Sequence, residues 1–331
     1  MINNKPAFEV AEAFELVRAD LARVEEGLAR ESRSGIAPVA EIADYLLGAG
    51  GKRLRPALHL LAAKFCGYEG PSAIQLGVVL ELIHNATLIH DDIIDGADTR
   101  RGRTSPNQRW GNSMTVLAGD WLYMQAFRLA LAEGSLRILD ILTRLTQRMV
   151  EGELIQLTWL GRIDIGEENA LEISRRKTAC LFETCLQLGA LLGEKNAQDE
   201  ERLARYGLNA GLAFQIIDDL LDFTAPAERL GKPVVSDLRE GKVTLPLVYA
   251  LEGCDGTGRR KVESVLREKG FQSVAPEEIV ALVRESGAVE RARERAARFV
   301  AEADRALEPF PDSTYKRALE ALPQFILNRD H

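Results

Sequence analysis

An all-α fold is expected for this 331-residue chain, and three observations lead there. Long apolar patterns of 3.6-residue period recur from end to end. Period-2 alternation bounded by turn residues is nearly absent. Short β-branched runs such as Gly77-Val78-Val79-Leu80 sit inside the longer helical patterns. No Pro/Ser-rich linker and no fixed-period repeat divides the chain, so a single helical-bundle domain spanning 1–331 is the expectation.

The periodicity gives helices over 8–30, 38–48, 53–66, 72–95, 112–132, 135–160, 167–193, 198–224, 243–252, 258–269, 276–286, 288–308 and 313–327. Breakers separate them. Gly67-Tyr68-Glu69-Gly70-Pro71 parts 53–66 from 72–95, and the stretch from Gly102 to Pro106 precedes 112–132. Gly161 closes 135–160, while Pro226 and Gly231-Lys232-Pro233 follow 198–224. Pro309 to Pro311 stand before the last helix. The helices at 72–95 and 198–224 are apolar over much of their circumference and belong in the middle of a bundle. The C-terminal third, with its charges from Arg291 to Arg298 and from Glu302 to Arg305, reads as an outer amphipathic layer.

Composition narrows the function. The chain is 46% apolar and 28% charged, with 42 Lys and Arg against 50 Asp and Glu, a net charge of -8. That balance argues against a nucleic-acid partner held by a general basic field. A phosphate-bearing ligand would need local basic clusters and metal ions. No uncharged apolar run of about 18 residues suggests an integral membrane segment. The acid-bearing N-terminus lacks the apolar region of a secretory signal. Cys66, Cys180, Cys185 and Cys254 have no ligand-like spacing, so reduced thiols and a cytoplasmic location are expected.

The strongest local signal is Leu88-Ile89-His90-Asp91-Asp92-Ile93-Ile94-Asp95. Asp is a poor helix-interior residue, yet three stand at the end of an apolar helix, with Asp91 and Asp95 one turn apart on one face. Their mutual repulsion in apolar surroundings calls for a hard divalent cation. The pattern recurs as Phe214-Gln215-Ile216-Ile217-Asp218-Asp219-Leu220-Leu221-Asp222. One such cluster is most simply a solvated helix face; two in apolar flanks favour ions that keep positions open for phosphate oxygens.

The cations follow the same logic. Gly50-Gly51-Lys52-Arg53-Leu54-Arg55-Pro56 sets three of them beside a glycine turn that opens a helix, where backbone N–H groups meet anions. Arg100-Arg101-Gly102-Arg103 follows the first Asp cluster directly, and Lys177, Lys232 and Lys242 lie near the later helices. Lys232 and Lys242 alone would read as exposed charges. His84 stands two turns before Asp91 on the same face, whereas His90 lies on another.

These motifs resemble those of trans-type polyprenyl diphosphate synthases, octaprenyl and heptaprenyl synthases most of all. The resemblance covers about 48–246 and rests on GGKRLRP, LIHDDIIDGADTRRG, Gly119-Asp120, Lys177-Thr178, FQIIDDLLDF and GKPVVSDLREGKVTLPL. It implies an all-α bundle, a homodimer, and condensation of isopentenyl diphosphate with an allylic diphosphate. Lys52, Arg55, His84 and Arg101 would bind the isopentenyl diphosphate. Asp91 and Asp95, with Asp92 supporting, would hold two Mg²⁺ on the allylic diphosphate; Asp218 and Asp222 would hold a third, and Mn²⁺ could substitute. Arg100, Lys177, Lys232 and Lys242 would contact the allylic diphosphate. Thr178 and Gln215 would present oxygens to the carbon where positive charge develops. Val234-Val235 departs from the glycine often found in this loop and would stiffen it.

Small residues, Ala86 and Thr87, stand where short-chain members carry bulky aromatics, which implies a long product for a quinone side chain. The product tunnel would then end deeper, at Trp121, Leu122, Met124 or Phe127. Ala86 has a second reading, close helix packing. Other functions stay open: a short-chain farnesyl or geranylgeranyl synthase, a terpene cyclase that binds one diphosphate, and a non-catalytic subunit of a heteromeric synthase.

Overall fold

The computed structural model describes residues 9–48, 51, 53–100, 102–225 and 234–329, without the side chains of Leu46 and Leu47. The helices are α1 Val10–Glu15, α2 Arg18–Glu31, α3 Ala37–Leu47, α4 Leu54–Phe65 and α5 Pro71–Ile94. Next come α6 Pro106–Trp110, α7 Asn112–Ala132, α8 Leu136–Trp159, α9 Glu167–Ser174, α10 Cys180–Leu192 and α11 Ala197–Thr224. The last group is α12 Ser236–Arg239, α13 Leu245–Gly253, α14 Gly256–Glu268, α15 Pro276–Glu285, α16 Ala288–Leu307 and α17 Thr314–Leu327. The all-α expectation is met.

Three local differences have physical causes. The helix expected over 8–30 divides after Glu15, because Val17 swings to φ -119° and its N–H bonds the Phe14 carbonyl three residues back. Between α9 and α10 the turns widen to a π-helix, Arg175–Ala179. The loop after the first Asp cluster contains a strand pair, β1 Thr99–Arg100 and β2 Arg103–Thr104, in register Thr99↔Thr104 and Arg100↔Arg103. Gly102 turns this hairpin at φ 72°, a left-handed backbone open to glycine without steric cost.

The described residues fall into two compact units. The first lies within Met1–Thr146, Leu181–Arg205 and Leu307–Leu322. At its centre is α5, packed by α2, α4 and α7. Leu76, Leu80, Leu82, Ile83, Ala86 and Ile89 of α5 are fully buried, so the helix is apolar almost all round. Among the described residues α5 is the one helix long and apolar enough to cross a membrane, and 61% of its apolar window is buried within the protein. Proline opens α5 at its first turn, where no N–H partner is lost.

A buried histidine sets a pH limit on this unit. His59 of α4 is 0% exposed and donates Nδ1–H to the Cys185 carbonyl at 3.1 Å, an acceptor that requires the proton on Nδ1. Burial lowers its pKa to about 4, against 6.5 in the unfolded chain. The unfolded state therefore takes up this proton first. The neutral native ring contributes fully above pH 6.5, and the contribution is lost as pH falls towards 4. The loss amounts to about 3 kcal/mol. Urea midpoints for His59→Gln should fall less steeply across that window than those of the natural chain.

The second unit lies within Gln147–Cys180, Tyr206–Ala306 and Pro323–His331. Its core joins α11, α13, α14, α15 and α16 through Ile216, Leu220, Leu247, Val262, Ile279 and Ala292 among others. Asp255 caps α14 by accepting from the N–H groups of Thr257 and Gly258, 2.9 Å each. The small buried residues Ala292, Ala296 and Ala303 line one face of α16, and its charges take the other, as the amphipathic C-terminal pattern requires.

All four cysteines are free thiols. Three are buried, and burial pushes the Cys66 thiol up to about 12, where it is unreactive.

Candidate active site

In the first unit the chain enters α4 through Arg53, which adopts a left-handed φ of 47°. A non-glycine residue pays strain there, and two carboxylates hold it. Arg53 Nη1 donates to Glu81 Oε1 at 2.7 Å, and its Nε donates to Glu25. Glu81 is itself buried on α5. Arg53 is thus committed to the protein. Arg55, half-buried two residues on, lies with its guanidinium 5.4 Å from the Phe182 ring centre. Lys52 and Arg101 lie outside the described residues, as does Lys232.

The three aspartates at the end of α5 have separate surroundings. Asp95 caps the helix and its N–H bonds the Asp91 carbonyl at 2.8 Å, so Asp91 and Asp95 keep the one-turn spacing read from sequence. Both are half-buried. Asp92 is only 1% exposed and turned inward. Arg100 of β1 donates Nε–H to both its oxygens at 2.7 Å and Nη2 approaches Oδ1 at 2.6 Å. Burial raises the Asp92 pKa, the Arg100 charge opposes that, and Asp95 adds to the rise. Asp92, expected to support metal, is therefore committed to Arg100, the cation expected on the allylic diphosphate.

His84 lies half-buried on α5, and the Thr87 hydroxyl donates to its backbone carbonyl at 2.7 Å. Ala86 is 0% exposed. Of the residues expected deeper along a tunnel, Leu122 of α7 is buried, Trp121 and Phe127 are half-buried, and Met124 is 62% exposed. Met124 thus faces out from the unit and walls no interior space within it. Gly119 explains its place in the Gly119-Asp120 motif. A Cβ there would meet the His90 ring at 2.3 Å, so a larger residue would displace that ring from its place between α5 and α7. His90 Nε2 lies 3.2 Å from the Val116 carbonyl and 3.5 Å from Asp120 Oδ1. The pattern read from sequence gave His90 no role, and this packing gives it one.

In the second unit the π-helix presents Lys177 and Thr178. π-bulges recur at functional sites because they turn side chains that a regular helix would aim elsewhere. The Lys177 ammonium pairs with Glu153 of α8. The Thr178 hydroxyl donates to Gln215 Oε1 at 2.6 Å, and Gln215 Nε2 donates to Asp219 Oδ1 at 2.7 Å. This chain fixes the Gln215 amide: its oxygen faces Thr178 and its nitrogen faces Asp219. Asp219 is buried, and burial, then the Asp237 charge, push its carboxyl well above the ordinary range.

Asp218 is half-exposed, with Arg329 Nη1 at 3.5 Å from its Oδ1. Asp222 is 1% exposed, and its oxygens serve backbone. Oδ1 accepts from the Ser236 N–H at 3.3 Å and the Ser236 hydroxyl at 3.0 Å; Oδ2 accepts from the Asp237 N–H at 3.2 Å. Asp222 thus caps α12, and its carbonyl also accepts the Val235 N–H at 3.1 Å. Val235 has φ 56°, strained for a β-branched residue, at the stretch where glycine was the expectation. Lys242 Nζ donates to Glu240 Oε2 at 2.8 Å.

Spacing in the sequence marked Asp91, Asp95 and Asp218, and the resemblance added the roles of Lys177, Thr178 and Gln215. The reading missed Glu153, Arg329 and the inward turn of Asp92. The last had a signal: Leu82, Ala86 and Ile89 form a buried stripe that runs on through Asp92 at the next helical step. Glu153 and Arg329 carried none.

The comparisons agree with these motifs. The polyprenyl synthetase family model matches residues 37–283. The chain is 36% identical over 316 residues to octaprenyl diphosphate synthase of Escherichia coli (strain K12), covering 96% of this chain and 98% of that one. It is also 36% identical over 308 residues to a short chain isoprenyl diphosphate synthase of Methanothermobacter thermautotrophicus, covering 91% and 94%. The crystal structure of polyprenyl synthase from Caulobacter crescentus CB15, complexed with calcium and isoprenyl diphosphate, superposes with a TM-score of 0.93 at 34% identity, over 99% of this chain and 100% of that chain. Match, coverage and motif geometry together make this chain a member of the polyprenyl synthetase family.

Proposed function

We propose that the chain is a trans-prenyltransferase that condenses isopentenyl diphosphate with an allylic diphosphate and releases a long-chain all-trans polyprenyl diphosphate, destined for a quinone side chain. One observation carries the reading. Each unit has an Asp-bearing helix in apolar surroundings, with cations from neighbouring segments beside it, which suits diphosphate accompanied by divalent ions.

The donor set fits Mg²⁺, with Mn²⁺ able to replace it. Asp91, Asp95 and Asp218 offer hard carboxylate oxygens and none is deeply buried. Among the described residues no three His, Cys, Asp or Glu groups converge into a protein-only metal site. Ions that share their ligands with phosphate oxygens, three per active site, suit such a set. When bound, Mg²⁺ neutralises the departing diphosphate and eases ionisation of the allylic C–O bond.

The protein's own groups do the rest. Lys52, Arg55, His84 and Arg101 bind isopentenyl diphosphate. Arg100, Lys177, Lys232 and Lys242 receive the allylic diphosphate. Asp92 and Glu153 hold Arg100 and Lys177 in place beforehand, which lowers the ordering cost on binding. Thr178 and Gln215 supply oxygens for the carbon where positive charge grows, in an orientation that Asp219 fixes. Asp222 positions α12, so that Asp237 stands beside Asp219. The isopentenyl double bond attacks the allylic carbon, and the proton then lost goes to the released diphosphate.

The outer face of α7 supports a homodimer. Met114, Leu117, Met124 and Leu131 recur there at helical spacing and are exposed in the single chain, an apolar stripe that a second copy would cover. Free buried thiols agree with a cytoplasmic location.

Product length rests on Ala86. In Ala86→Phe the aromatic ring fills the product tunnel, so products sized after dephosphorylation should be shorter while Tm holds. An unchanged distribution with a Tm drop matching overpacking of about 1–3 kcal/mol would assign Ala86 to helix packing instead.

A further inference from the structure

The β1–β2 hairpin that carries Arg100 is only two residues per strand, too short to hold its own position. Within its own segment it is braced at the base. The Ser105 N–H donates to the Asp98 carbonyl at 2.9 Å, and the Ser105 hydroxyl and Asn107 amide donate to the Ala97 carbonyl at 2.5 and 3.2 Å. A second hold on the same end comes from elsewhere in the chain. Tyr45, on the last turn of α3, donates its hydroxyl to the Thr104 carbonyl at 2.7 Å across 59 residues of sequence. Thr104 is the cross-strand partner of Thr99, next to Arg100.

The Tyr45 ring is itself clamped. Trp110 meets it edge-on at 5.2 Å, and the guanidinium groups of Arg109 and Arg103 lie 4.8 and 5.8 Å from its centre. Arg109 also covers Trp110 at 4.5 Å. A ring fixed by three neighbours gives a hydroxyl with little freedom, and cation–π contacts of this kind add to its hold. Arg100 is thus set at both ends, its guanidinium by Asp92 and its backbone by the hairpin that Tyr45 anchors.

We propose that Tyr45 is a positioning residue for the transfer reaction: through Thr104 it fixes the hairpin so that Arg100 meets the allylic diphosphate. The proposal rests on the assignment of Arg100 to that diphosphate. An ångström of drift in a substrate-positioning group is costly, and a contact to a diphosphate whose charge grows during the reaction is read in kcat/KM.

The test is a cycle of Tyr45→Phe, Arg100→Ala and the double variant, with KM for the allylic diphosphate, kcat and Tm measured on each. Tyr45→Phe keeps the ring and removes the hydroxyl. It should lower kcat/KM for the allylic diphosphate about three- to tenfold, the range for one lost hydrogen bond, with Tm nearly unchanged. On the Arg100→Ala background the same change should leave kcat/KM unaltered. A Tyr45→Phe effect confined to Tm, or one that recurs undiminished without Arg100, overturns the proposal. If Arg100→Ala alone leaves kcat/KM for the allylic diphosphate unchanged, the assignment of Arg100 fails, and the role of Tyr45 fails with it.

Discussion

Asp91→Asn loses about three orders of magnitude in kcat, and the folded chain is no less stable for it. On the proposed role of Asp91, the loss follows from removing a charged oxygen ligand of the divalent ion that accompanies a diphosphate whose negative charge grows as the C–O bond breaks. A single well-aimed electrostatic group commonly supplies about 10²–10³ in rate, and a charged ligand to a shared ion lies at the upper end. Stability moves the other way. Asp91 and Asp95 stand one turn apart at the end of α5, and removing one of two like charges relieves about 0.2–0.5 kcal/mol of repulsion. Asn has the size of Asp, so packing is untouched. Steady-state rates across a Mg²⁺ titration and a thermal melt on the same sample check both halves. A loss under tenfold, or a collapsed Tm, contradicts the role given to Asp91.

Asp222→Ala has the opposite signature, although both residues come from the same D-D-x-x-D pattern. Asp222 accepts two backbone N–H groups and a hydroxyl at the start of α12. Hydrogen bonds to a charged acceptor are worth about 1.5–3 kcal/mol each and are not additive, so a loss of about 3 kcal/mol is expected. The left-handed Val235 depends on this cap, and without it the turn at 235–237 has no reason to persist. Urea unfolding should report the loss, and hydrogen exchange should quicken at the Ser236 and Asp237 amides. An unchanged midpoint with a selective fall in Mg²⁺ affinity would return Asp222 to the metal ligands.

The contrast between these aspartates marks what sequence could and could not carry. Helix positions were legible because one-sided burial imposes a 3.6-residue period over 20 residues or more in α8 and α16. A two-residue strand pair has no period to read, so β1 and β2 passed as a glycine-bearing loop. The π-helix at Arg175–Ala179 shifts register by one residue inside an unbroken helical pattern, which composition does not reveal. The break at Val17 is likewise a matter of one dihedral angle.

The same holds at the active site. Repeated aspartates in apolar flanks announced charges that need partners, and protein groups meet Asp92, Asp218, Asp219 and Asp222. Which partner each found depended on tertiary placement. Asp92 met Arg100 from a hairpin eight residues on, and Asp222 met the amides of a segment 14 and 15 residues on. Local spacing carries no information about either. Val235 shows the reverse case: its φ of 56° is a conformation that favours glycine, and the chain holds it with a β-branched residue.

Incorporation of labelled isopentenyl diphosphate by the purified chain alone, with Mg²⁺ and an allylic diphosphate, tests the central claim most directly. Label is expected in a polyprenyl diphosphate longer than geranylgeranyl, with no hydrocarbon when isopentenyl diphosphate is left out. Hydrocarbon released from the allylic diphosphate by itself, or no incorporation with any primer until a second protein is added, would contradict it.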